Sequence, residues 1–160
     1  MADTNLTIEQ IEIAIANYFN VRQNLIVCNV SWGLLNHEAD MIIMSKSGYV
    51  TEIEIKRSLS DFKADFRKKH DHSDKLISQL YYAVPACIYE KCMELLKGNK
   101  REAGILTYNE KGSVSYAITA PTLHSNRRKL FLEEQFQLAR LGSMRAWALK
   151  EKLYGNKLFD

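Results

Sequence analysis

Proline and glycine are scarce: the 160 residues include 2 prolines and 7 glycines, which leaves little room for linkers or low-complexity tracts. Cysteine is scarce as well. Cys28, Cys87 and Cys92 are odd in number, lack a CxxC spacing and sit among apolar neighbours such as Val27, Ala86 and Met93, so neither a disulfide framework nor a zinc site is expected. The uncharged stretch from Gly112 to Asn126 is 15 residues long, contains Pro121 and His124, and falls short of the ~20 apolar residues needed to span a bilayer. The N-terminus has Asp3 and Glu9 but no apolar block, so it does not read as a secretory signal and a cytoplasmic location is expected. Nor is there a large charge excess, since +3 is too little for a protein that coats DNA.

What is present is globular in proportion: 46% hydrophobic and 26% charged residues, in a length that suits one domain with a real core. We expect a single domain over 1–160, with its core at about 7–119 and a helical C-terminal extension at about 122–155. The charge is unevenly spread. Seven Lys or Arg stand against four Asp between Lys56 and Lys75, and further basic clusters lie at Lys97, Lys100 and Arg101 and at Arg127, Arg128 and Lys129. Solvated helix faces account for any one of these taken alone.

From Thr7 to Asn20 the residues Ile8, Ile11, Ile15 and Tyr18 or Phe19 recur at helical steps, with Thr7 placed to cap. Leu25 to Val30 is short and β-branched and reads as a strand. Asp40 to Met44, the turn Ser45 to Gly48, and the alternating run from Tyr49 read as a β-hairpin, with Gly48 supplying the positive φ. Ser58 or Ser60 can cap a helix that ends near His70, with Leu59, Phe62 and Phe66 on one side and Lys63, Arg67, Lys68 and Lys69 nearer the other. Leu80 to Val84 reads as a strand that stops at Pro85, which opens a helix to about Lys97. Ala103 to Tyr108 and Val114 to Thr119 resemble a second hairpin. The remainder reads as helix, with a break at Gly142 and a last helix around Trp147.

Period two puts Glu52, Glu54 and Lys56 on one face of the second hairpin strand. A solvent-facing strand explains such alternation by itself. Asp40 changes the balance, because pairing across the short turn can bring it near Glu54. Two converging carboxylates suit a hard divalent cation: Mg²⁺ commonly takes one or two carboxylates plus water and substrate phosphate. Such a metal lowers the pKa of bound water, and Lys56 can orient the nucleophile or hold the scissile phosphate. In outline this is a site for phosphodiester hydrolysis.

The order α, β, Asp40, Glu54-Ile-Lys56, helix and strand resembles the PD-(D/E)XK nuclease superfamily. More closely, Glu54-Ile-Lys-Arg-Ser-Leu-Ser-Asp-Phe62, followed by Asp65 and by Tyr81-Tyr-Ala-Val-Pro85, is similar to the MmcB-like DNA-repair proteins of bacteria and their phages. The likeness covers about Glu38 to Pro85 and weakly the segment Arg127 to Lys129. It implies an α/β, restriction-endonuclease-like αβββαβ core with a mixed central sheet flanked by helices. It also implies that Asp40, Glu54 and the carbonyl of Ile55 bind Mg²⁺ or Mn²⁺ and that Lys56 assists the attacking water. The superfamily's proline before the first aspartate is replaced by Ala39. An additional glutamate on the first helix would be Glu9 or Glu12, of which we choose Glu12, beside the reading of either as a solvated surface residue.

Glu52 could tune the metal ligands or simply be exposed. Asp61 and Asp65 match the family string, and capping or ion pairs with Lys63, Arg67 or Lys69 explain them equally well. His37, His70 and His72 are not spaced as a shared metal site and read as exposed or hydrogen-bonded. Trp32 could stack on an unpaired base or pack beneath its loop. Of Tyr81 and Tyr82, one is expected in the core and the other near the site.

The expected activity is a metal-dependent nuclease acting on DNA, with Lys56, Arg57, Lys63, Arg67 and Lys68 engaging backbone phosphates. On this reading Lys56→Ala abolishes turnover and leaves folding intact. The alternative is a repair or phage accessory protein that binds DNA without cutting. A homodimer or a repair or replication partner is also anticipated, with Phe131, Phe136 and Trp147 on the C-terminal helices as an interface or as a cap on the sheet.

Overall fold

In the computed structural model, residues 3–31, 33–67, 74–123 and 127–155 are described. Thr7 caps α1 (Ile8–Tyr18): its side chain accepts from Gln10 N, and the Gln10 side chain accepts from Thr7 N. Three strands follow, β1 (Leu25–Val30), β2 (Ala39–Met44) and β3 (Val50–Ile55), each antiparallel to the one before. The β2–β3 turn has Gly48 at φ +83°, as its sequence requires. Next come α2 (Leu59–Asp65) and β4 (Ile77–Pro85), which lies parallel to β3. A 3₁₀ turn leads into α3 (Tyr89–Gly98), then β5 (Gly104–Tyr108), β6 (Val114–Ile118) and α4 (Leu132–Tyr154).

The six strands form one mixed sheet in sequence order, parallel at β3–β4–β5 and antiparallel elsewhere. The expected α/β class and the αβββαβ order from α1 to β4 are both present. Alternation along the strands separates two faces. Met41, Ile43, Ile53, Ile55 and Tyr81 pack with Ile11 and Ile15 of α1 on one. On the other, Phe62 of α2 and Cys92 and Leu96 of α3 cover Leu80, Tyr82, Val84 and Ile105, while Leu138 of α4 covers Val27, Val30 and Ile42.

One glycine is required by contact. A Cβ at Gly104 would lie 2.6 Å from both Ala120 N and Ile118 O and would also meet the Tyr81 ring. Two of those neighbours are backbone, so Gly104→Ala is expected to cost roughly 1–3 kcal/mol by overpacking, read as a lower urea midpoint.

Two elements differ from expectation. Helix α2 stops at Asp65 rather than near His70: the backbone turns at Phe66, whose ring packs 5.3 Å from Phe62 and 6.4 Å from Tyr82. The C-terminal region holds one continuous helix, α4, where two were expected with a break at Gly142, and the described residues from Arg127 to Phe131 are not helical. A glycine inside a helix costs only about 1 kcal/mol and does not break it. Here Gly142 lets α4 approach β1, because a Cβ would lie 3.2 Å from Val27 Cγ2.

Candidate active site

The β2–β3 register pairs Met41 with Ile53 and Ile42 with Glu52, so its next step sets Asp40 opposite Glu54. Asp40 is half-buried, and its Oδ2 accepts a 2.7 Å hydrogen bond from Ile55 N. The amide of Lys56 donates to Ala83 O in β4 at 2.9 Å. Backbone groups of successive strand residues point to opposite neighbours, so the carbonyl of Ile55 is directed to the β2 side, where the Asp40 carboxylate lies. Tyr108 OH donates to Lys56 O at 3.0 Å and holds the end of β3.

Glu52, Glu54 and Lys56 share a face, as period two requires, but that face is covered rather than solvent-facing. Their exposures are 0, 2 and 3%. Lys56 Nζ donates to Glu54 Oε2 at 3.0 Å and to Asp65 Oδ1 at 3.1 Å. Asp65, 1% exposed on α2, also accepts from Tyr82 OH at 2.6 Å and, at 3.4 Å, from Arg101, whose guanidinium lies 4.8 Å from the Phe66 ring centroid. Two carboxylates, one ammonium and one guanidinium therefore balance in charge within a buried network, the condition under which buried ions are tolerated.

Burial acts against the charged form of Lys56, but the carboxylates of Glu54 and Asp65 outweigh it and hold the ammonium above its ordinary range. Lys56 is thus a permanent cation and not a general base near neutral pH. Tyr82 is pushed up by burial and by Asp65, against the pull of Arg101. Both shifts are upward. Below the ordinary values of 10.0 for Tyr82 and 10.5 for Lys56, folded and unfolded chains are equally protonated and the stabilisation is complete. Above them the unfolded chain releases protons that the fold retains, so stability is expected to fall as pH rises past about 10. Tyr82→Phe should flatten this decline in urea titrations between about pH 8 and 11, and an equally steep decline in the variant would contradict the assignment.

Burial also revises the expected behaviour of Lys56→Ala. The side chain is the counter-charge of two buried carboxylates, so its removal is expected to destabilise the fold.

The structure separates Glu12 from Glu9. Glu9 is exposed in the first turn of α1, whereas Glu12 is half-buried. Its carboxyl is pushed up by burial, with Glu9 and the Asp40 carboxylate adding to the effect. Glu12 is therefore the first-helix carboxylate within electrostatic reach of Asp40. Glu52 is not exposed, in contrast to one of the two sequence readings: its Oε1 meets His37 Nε2 at 2.8 Å, and His37 Nδ1 meets Asn36 Oδ1 at 2.7 Å. His37 is hydrogen-bonded, as expected.

The basic residues divide. Lys63 and Arg67 are exposed at the end of α2. Arg57, two residues beyond β3, is half-buried, and its guanidinium donates to Leu6 O at 2.8 Å. Lys68, Lys69, His70, His72 and Trp32 lie outside the described residues.

Of the two tyrosines, Tyr81 lies in the core and Tyr82 beside the site, as expected, but sequence reasoning missed the Lys56–Asp65 link, the Tyr82–Asp65 bond and the part of Arg101. A signal existed. The apolar side of α2, Phe62 and Phe66, must pack on a strand face, and the alternation of β3 and β4 puts Glu54 and Tyr82 on that same face. A helix laid there buries the polar row.

Among the described residues, no group of three or more His, Cys, Asp or Glu side chains is arranged to hold a metal ion. Two carboxylates and a backbone carbonyl are nevertheless hard oxygen donors, in the number that Mg²⁺ commonly takes from a protein. In chemistry they fit such an ion.

No family model matches the chain, and no curated protein does. A solved structure of a protein of unknown function from Silicibacter pomeroyi is similar over 98% of this chain and 99% of its own, with a TM-score of 0.66 and 19% identity. That likeness is one of fold. Among the described residues, no helix is long and apolar enough to cross a membrane.

Proposed function

We propose that this protein is a metal-dependent nuclease that hydrolyses DNA phosphodiester bonds, with a restriction-endonuclease-like arrangement of its αβββαβ core. The observation that carries the reading is the hydrogen bond from Ile55 N to Asp40 Oδ2, which draws the Asp40 carboxylate against the Glu54-Ile55-Lys56 segment. Asp40, Glu54 and the Ile55 carbonyl would hold Mg²⁺ or Mn²⁺, with Glu12 as an accessory carboxylate. The ion would supply a more acidic bound water and neutralise charge on the phosphate. Lys56, kept protonated by its two carboxylates, would lend a fixed positive charge beside the attacking water or the scissile phosphate. Lys63 and Arg67 add exposed positive charge at the end of α2 for phosphate contacts. The similarity of the Glu54 to Phe62 string to MmcB-like proteins supports DNA repair, or processing of replication or phage DNA, in the cytoplasm.

A second reading has its own observation. Glu54 and Lys56 are buried and bonded to each other, an arrangement that also suits a fold retained for binding DNA without cutting it. The two separate on one assay: labelled single-stranded, duplex and forked DNA incubated with the protein in Mg²⁺, Mn²⁺ or EDTA. Metal-dependent cleavage supports the nuclease. Salt-dependent binding with no cleavage in any metal supports the accessory protein.

A further inference from the structure

Helix α4 is only partly seated on the body of the protein. Leu138 is its one buried residue, Gly142 lies against Val27, and Arg145 donates to the Asn29 carbonyl. Every residue from Ala146 to Gly155 is exposed, although that stretch includes Trp147, Leu149, Leu153 and Tyr154. Eight of the thirteen large hydrophobic residues exposed among the described residues lie on α4 or immediately before it. A hydrophobic patch of this extent marks an interaction surface.

The side of α4 turned from the sheet carries an ordered row. Leu132, Phe136 and Ala139 stand eleven, seven and four residues before Ser143, and Trp147, Lys150 and Tyr154 stand four, seven and eleven after it. All are exposed, and steps of three and four residues align them in one stripe. The spacing reads the same in either direction. A stripe with that property is complementary to itself when a second copy lies antiparallel across a two-fold axis.

Side-chain size and charge follow the same symmetry. Antiparallel pairing about Ser143 sets Trp147 opposite Ala139, large against small, and Leu132 opposite Tyr154. It sets Phe136 opposite Lys150, whose ammonium already lies 4.8 Å from an aromatic ring centroid, that of Trp147. Parallel pairing would instead set Trp147 on Trp147 and Lys150 on Lys150.

The area is also adequate. Phe136, Trp147 and Tyr154 are 68, 53 and 74% exposed. Aromatic side chains bury ~150–250 Å² each, so these three bring roughly 300–500 Å² to a contact. Leu132, 76% exposed, and the stem of Lys150 lie on the same stripe and bring the face toward the ~800 Å² per partner of a standard interface.

We propose that this face of α4 is the seam of a homodimer in which two copies of the helix cross antiparallel at Ser143. The proposal does not depend on the nuclease reading. Sedimentation equilibrium of the full chain tests it, with a mass of two chains expected at micromolar concentration. The double variant Phe136→Glu, Trp147→Glu is expected to sediment as a monomer with unchanged circular dichroism, since both side chains are exposed. Should that variant misfold, Ser143→Cys in a Cys87→Ser background gives a separate readout, Cys87 being the exposed native thiol. Mild oxidation should join it into a covalent dimer across the two-fold axis. A monomeric wild type, a dimer that persists in the folded double variant, or a dimer that Ser143→Cys fails to cross-link would each overturn the proposal.

Discussion

Lys56→Ala is expected to lose roughly 3–5 kcal/mol of folding stability, the cost of leaving buried carboxylates without their counter-charge. Lys56 Nζ bridges Glu54 and Asp65, and its side chain is 4% exposed. A domain typically has only about 5–15 kcal/mol in total, so the variant stands near the edge of the folded state. With a urea m-value near 2 kcal/mol/M, the midpoint should fall by roughly 2 M. The cause is specific and can be checked. In the triple variant Lys56→Ala, Glu54→Gln, Asp65→Asn the unpaired negative charges are gone, and a good part of the loss should return. A midpoint shift under about 0.5 M for Lys56→Ala would mean that the ammonium is solvated in solution and the network is not closed.

Asp40→Asn is expected to act in the opposite way, on chemistry and not on the fold. The side-chain oxygen of asparagine can still accept from Ile55 N, so the contact at 2.7 Å survives while the negative charge is lost. Asp40 is half-buried at the start of β2, and stability should change by no more than about 1 kcal/mol. Metal-assisted stabilisation of a phosphodiester transition state is worth several kcal/mol, and about 3 kcal/mol corresponds to more than a hundredfold in rate. The variant should therefore lose cleavage by roughly that factor or more and require more Mn²⁺ for what remains. Asp40→Asn is accordingly a better test of catalysis than Lys56→Ala, whose loss of activity would follow from unfolding alone.

The legible parts of this chain are those in which local pattern and tertiary demand agree. Thr7 caps α1, Gly48 turns the β2–β3 hairpin, and the β-branched run Leu25 to Val30 is a strand, each decided within a few residues of sequence. The alternation of β3 correctly assigned Glu52, Glu54 and Lys56 to one face. What alternation cannot say is which face is covered, and here the polar one lies beneath α2. Polar strand residues are solvated on most sheets, so Glu52 reads as exposed until its burial against His37 is seen, and Asp65 on α2 reads as a surface ion-pair partner until its burial beside Lys56 and Tyr82 is seen. Arg101 illustrates the same limit: as one of three cations near the end of α3 it reads as surface charge, and only the fold brings it to Asp65, 36 residues earlier. Gly142 failed as a signal for a different reason. A glycine inside a helical pattern is a weak breaker, and close approach to Val27 is a reason for it that depends wholly on tertiary structure.

The most direct measurement is cleavage of labelled DNA by freshly purified wild type and Asp40→Asn, prepared side by side and assayed in Mg²⁺ with an EDTA control. The account predicts that the wild type cuts only with metal, and that the variant, equally stable in urea, is at least about a hundredfold slower. A variant as active as the wild type would contradict the assigned site. A wild type that cuts equally well in EDTA would contradict the metal.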